Sequence, residues 1–145
     1  MIKRRNCRSG QSLVEFALML PILLLILVVL FDLGRAVYYY SVIHNAAREG
    51  ARYGIILNDE ETACTTPDTA GIEAAVHQRA IGLKVDDIIV ASACVNIYDA
   101  NDVLISSKIR VDVSYTFEPV TPLAGMFISE GTISLHSTSS MNVEG

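Results

Sequence analysis

The side chains that most often carry chemistry are scattered through this chain of 145 residues. His44, His77 and His136 stand apart from one another, and neither an HExxH nor a CxxC pattern occurs, so the sequence shows no metalloenzyme or redox motif. Ser137, Ser139 and Ser140 lie in a β-prone run without the glycines of a nucleophile elbow, and no phosphate-binding loop is present. Asp99, Asn101 and Asp102 offer three oxygen ligands in four positions. They lack the glycine and distal glutamate of a calcium loop and read as a turn. We expect no catalytic residue, no metal and no cofactor. One carboxylate does ask for a chemical explanation. Glu15 stands at the threshold of a greasy run, preceded by Arg8 and Gly10. An acid at mid-membrane is unfavourable by about 2.5 to 3.5 kcal/mol, and even near the edge it wants a partner. A plain anchor does not need it.

The run that follows, residues 16–31, is sixteen uncharged and almost wholly aliphatic residues between Glu15 and Asp32. At about 1.5 Å per residue it spans roughly 24 Å, and the flanks at 12–14 and 33–34 bring it to a hydrocarbon core of about 30 Å. One membrane span over about 12–34 accounts for a chain that is 51% hydrophobic and only 19% charged. Lys3, Arg4, Arg5 and Arg8 form a basic leader over 1–10, which the positive-inside rule keeps cytoplasmic, sending the rest outside. A cleavable signal peptide is the competing reading, with Gly34, Arg35 and Ala36 as a small-x-small site. Against it stand the length of the run, the charges at Asp32 and Arg35, and a helical pattern that continues past them. The formal charge of −5 excludes a nucleic-acid binder, which needs clustered Lys and Arg on its folded surface.

Beyond the run, Gly34, Tyr38, Val42, Ala46, Gly50 and Gly54 recur every four residues along one slowly drifting helical stripe. Ala46, Gly50 and Gly54 are a small-xxx-small series that lets another backbone approach, either in the chain's own head or in a neighbouring subunit. One long helix over 11–54, bent or loosened at Pro21, is the economical reading. Tyr38, Tyr39 and Tyr40 read as an aromatic belt at the outer interface.

Three motifs together carry a resemblance: Gly10-Gln11-Ser12-Leu13-Val14-Glu15-Phe16-Ala17, Asp32-Leu33-Gly34-Arg35, and the run from Asn45 through Arg48, Glu49, Gly50 and Arg52 to Gly54. The first resembles a type IV prepilin leader, and the set resembles the TadE-like family, pseudopilin-like proteins of the tight adherence (Flp) pilus assembly system. The resemblance implies cleavage between Gly10 and Gln11 by a prepilin peptidase. It also implies insertion in the bacterial inner membrane with the head extracytoplasmic, and partnership with other pilin or pseudopilin subunits. Cleavage would free an amine at Gln11 with which Glu15 could pair, in its own chain or a neighbour's. That pair would register bundled helices more than stabilise them, because desolvation opposes the attraction. The alternative keeps Glu15 as an interfacial residue beside Arg8. A bitopic binding module and a secreted protein are the other two functional readings.

The remaining residues, 55–145, read as a small α+β head. An acidic loop over 58–68 precedes a helix over 67–83 with Thr66 as a possible cap and Ile72, Val76, Ala80 and Leu83 on one face. Strands follow at 88–98, at 109–117 and at 132–143. The middle one has the cleanest alternation in the chain, and Pro119, Pro122 and Gly125 end it. Leu123, Met126 and Phe127 form an apolar loop. The expected architecture is therefore a membrane-anchored α+β fold: one long helix, a short helix and an antiparallel sheet of about three strands. Of the three cysteines, Cys7 lies in the leader, while Cys64 and Cys94 both fall where disulfides can form. Either they pair, or they are two separate buried thiols.

Overall fold

A computed structural model describes residues 8–56, 64, 66–121 and 131–143. Residues 1–7 of the basic leader with Cys7, most of the acidic loop, and the apolar loop with Leu123, Met126 and Phe127 lie outside the described residues.

The chain forms a long helix α1 (Arg8–Ile56), a short helix α2 (Thr69–Arg79), and strands β1 (Ile88–Tyr98), β2 (Leu104–Phe117) and β3 (Ile133–Val143). The strands pair antiparallel in the order β1-β2-β3. This is the expected α+β arrangement.

α1 has 49 residues, about 74 Å at 1.5 Å per residue, and Pro21 lies inside it. α2 begins later than the sequence suggests. Asp68 caps it, accepting from the Gly71 N–H at 3.2 Å, because a carboxylate at that place serves the free amides of the first turn; Thr66 does not. The helix stops at Arg79, and Gly82, at φ +85°, turns the chain, so Leu83 reaches the core from a turn.

Strict alternation in β2 decides the sheet. Ser107, Ile109, Val111, Val113, Tyr115 and Phe117 are buried beneath the helices. Lys108, Arg110, Asp112, Ser114 and Thr116 occupy the opposite face. β2 also starts five residues earlier than its apolar alternation predicts, since Leu104 and Ser106 to Lys108 pair with the end of β1. The turn between them is set by Asp99, whose carboxylate accepts from the Asn101 and Val103 N–H groups at 2.7 and 3.0 Å. Those bonds hold Asp99 below the usual carboxylate range.

β1 carries apolar residues on both faces. Its register places Ile88, Val90, Ser92, Cys94 and Asn96 on the helix side. Ile89, Ala91, Ala93 and Ile97 are exposed on the outer face.

Candidate membrane-anchoring and assembly helix

α1 has two unlike halves. Residues 10–31 are exposed throughout. This is the one helix among the described residues long and apolar enough to cross a membrane. From Asp32 onward the helix docks: Asp32, Ile43, Ala46, Ala47, Gly50, Ala51 and Gly54 are buried, at the spacing of one helical face.

Docking is close because the sequence supplies small residues where the helix crosses the core. A Cβ on Gly50 would meet Val76 Cγ2 at 2.7 Å, with Ile72 and Val111 at 3.4 Å, and one on Gly54 would meet Ile109 at 3.0 Å. Ala46, Gly50 and Gly54 thus face the chain's own head. The outer part of the same four-residue stripe does not, since each step of four overshoots a full turn by about 40°. Gly34 and Tyr38 have drifted onto the exposed side.

Tyr39 takes the inward position instead. Its ring meets those of Tyr115 at 5.4 Å and Phe117 at 5.7 Å, both edge-on. The Arg35 guanidinium lies 5.6 Å from the centre of Tyr39 and 5.4 Å from that of Phe117. The three consecutive tyrosines are therefore not one belt: Tyr38 and Tyr40 are about half exposed, while Tyr39 belongs to the head. Burial pushes the Tyr115 phenol above its ordinary value, with the charges of Tyr39 and Asp87 acting the same way.

Asp32 marks the boundary between the halves. It is only 7% exposed. Its Oδ2 accepts from the Thr121 N–H at 2.7 Å, and its Oδ1 lies 3.4 Å from Arg35. A carboxylate one turn before the aromatic cluster thereby ties the helix to the segment that leaves β2, 89 residues away. In the sequence Asp32 and Arg35 mark the end of the apolar run and belong to a motif, and nothing there points to this clamp. Two further ties hold the inner half: His44 Nδ1 lies 3.1 Å from Ser137 Oγ on β3, and Glu49 pairs loosely at 3.8 Å with Arg79 of α2.

At the far end, Cys64 and Cys94 are joined as a disulfide with Cα atoms 5.5 Å apart. Asn96 and Ser107, directly opposite on β1 and β2, close a polar clip around Cys64. Ser107 Oγ donates to Asn96 Oδ1 at 2.6 Å and accepts from the Cys64 N–H at 3.1 Å. Asn96 Nδ2 donates to the Cys64 carbonyl at 2.9 Å. Every polar group in this small buried site is used, which is what burial requires. In the sequence the site shows only as one polar residue on each of two strands.

At the opposite end, Gly10, Gln11 and Glu15 lie in the exposed first turns of α1, and a Cβ on Gly10 would meet nothing within 4 Å. Among the described residues no group of histidine, cysteine and acidic side chains could hold a metal ion.

Fold and site together define a class: a protein in which one helix is both an apolar anchor and the spine of a small α+β head. Residues 10–52 match the model of the family described as TadE-like protein. No curated protein and no solved structure matches the chain.

Proposed function

We propose that this chain is a non-enzymatic, pseudopilin-like component of tight adherence pilus assembly or a related secretion machine, and that a prepilin peptidase processes it between Gly10 and Gln11. The observation that carries this reading is a coincidence of boundaries. The TadE-like match, 10–52, begins at the glycine of the leader motif and ends within the last docked turns of α1. The family segment is thus the anchor-and-spine helix itself. In this reading residues 1–10 are a cytoplasmic leader, 12–34 cross the inner membrane, and 55–145 complete an extracytoplasmic head. Glu15 pairs with the new amine at Gln11 or with a neighbour's, and the partners are the bilayer, the peptidase and other pilin or pseudopilin subunits. The Cys64–Cys94 bond persists outside the cytoplasm.

Replacing Gly10 by leucine tests the processing step. The position is sterically open in the chain itself, so the variant folds and inserts. In cells carrying the peptidase it is expected to accumulate as uncleaved precursor, seen as a slower band and an intact leader. Cleavage of Gly10→Leu at the wild-type rate would remove the peptidase from this account.

A further inference from the structure

The charges in the sheet are confined to its middle. Lys108, Arg110 and Asp112 lie on β2, whereas β1 and β3 contain no Lys, Arg, Asp, Glu or Pro. Edge strands are ordinarily guarded by such residues, because an open edge is a row of unpaired N–H and C=O groups ready to accept another strand. Each edge here runs 11 residues, about 36 Å at 3.3 Å per residue. Among the described residues nothing bonds to the outer edge of either strand. The irregularity between Ile97 and Tyr98 comes only at the end of β1.

The contacts of α1 fix where these edges look. Gly54 lies against Ile109, Gly50 against Val111, Tyr39 against Tyr115 and Phe117, and Asp32 against Thr121. The helix therefore runs along β2 from Ile109 to Phe117 in the opposite direction. With α1 across a membrane, the strands stand along the membrane normal and both edges face sideways, toward neighbours in the same membrane. Because both pairings are antiparallel, β1 and β3 point the same way. A second copy displaced sideways, its helix in the same orientation, presents its β3 to the first copy's β1 as a parallel partner. Antiparallel pairing of β1 with β1 needs a two-fold axis normal to the sheet, which reverses α1 and is incompatible with a shared bilayer. Charge favours the same contact. Without residues 1–10 the chain keeps seven basic against sixteen acidic residues, a formal −9, and two such chains meet with least repulsion along their uncharged strands.

We propose that the β1 edge of one copy accepts the β3 edge of a second copy, extending the sheet laterally. The contact is heterologous, so it leaves a free β1 and a free β3 and can repeat. It rests on the reading of 12–34 as a membrane span and adds to it a surface and a partner. The exposed outer row of β1, with Ile89 at 67% exposure, lies beside the join.

Cross-linking tests it on the full chain carrying Cys7→Ser, inserted in phosphatidylcholine vesicles. One preparation carries Ala91→Cys on the outer face of β1; the others carry Ser134→Cys, Thr138→Cys or Asn142→Cys along the outer face of β3. Adjacent strands bring such residues within disulfide reach. After mild oxidation, mixing the β1 variant with the β3 variant in register is expected to give at least five times more dimer than either alone. Absence of mixed dimer at all three β3 positions, or self-dimer of Ala91→Cys equal to the mixed product, overturns the proposal while leaving a carbonate-resistant, membrane-inserted chain. Release of the chain by carbonate overturns the membrane reading and this proposal with it.

Discussion

Truncating Phe117 to alanine is expected to detach the spine helix from the sheet and unfold the head at ordinary temperature. Phe117 is 2% exposed and closes the end of the core nearest the apolar run of α1. Loss of a buried phenylalanine costs about 3 to 5 kcal/mol through lost transfer energy and the cavity left behind. The edge-on contact with Tyr39 adds roughly 0.5 to 1.5 kcal/mol. The same ring is one of the two faces over which Arg35 rests, so the guanidinium loses part of its seat beside Asp32. A small domain has only about 5 to 15 kcal/mol of stability in all. The melting temperature, followed by tyrosine circular dichroism in detergent, is expected to fall by roughly 15 °C or more. Phe117→Leu, which keeps most of the volume, is expected to fall by far less. Equal melting of Phe117→Ala and wild type would mean that the core does not lie where α1, Tyr115 and Phe117 meet.

The second large effect concerns the other end of the head. The bond between Cys64 and Cys94 spans a sequence separation of 30, and the loop it closes contains α2 and the first part of β1. Loop entropy alone assigns such a closure about 3.5 kcal/mol. The double replacement Cys64→Ser with Cys94→Ser leaves the Asn96–Ser107 clip in place, so the folded arrangement survives at lower stability. Its melting temperature is expected to match that of reduced wild-type protein, and reductant is expected to leave the variant unchanged. Two labelled thiols per unreduced, denatured Cys7→Ser chain, or no response of the wild type to reductant, would remove the bond from the account.

What the sequence made legible divides along physical lines. Local signals were sufficient for the long helix, because an apolar run over 16–31 followed by Ala46, Gly50 and Gly54 is readable without knowing any partner. The same is true of β2, whose alternation names its buried face, and of the face of α2 that carries Ile72 and Val76. Asp32 was not readable as a clamp, since its partner is a main-chain amide 89 residues away with no side-chain signature. Tyr39 could not be told from Tyr38 and Tyr40 by composition. Consecutive helical positions differ by about 100°, and only the docked face selects among them. In β1, Ile89 and Ile97 point outward while Cys94 and Asn96 are held inward by the disulfide and the clip, so tertiary ties outweigh hydropathy at those positions. The choice left open for the small-residue stripe, own head or neighbouring subunit, is resolved by the side chains that crowd Gly50 and Gly54.

Cysteine and charge arithmetic acquire a physical meaning through the same helix. Removal of residues 1–10 discards Cys7 with four basic residues, leaving one cysteine pair and a more acidic chain. The most direct test of the central claim is therefore the intact mass of the mature wild-type protein purified from the membranes of cells that carry a prepilin peptidase. The account predicts a chain that begins at Gln11. A chain that begins at Met1 would contradict processing and favour a plain anchored module, and one that begins at Val37 would contradict the membrane anchor altogether.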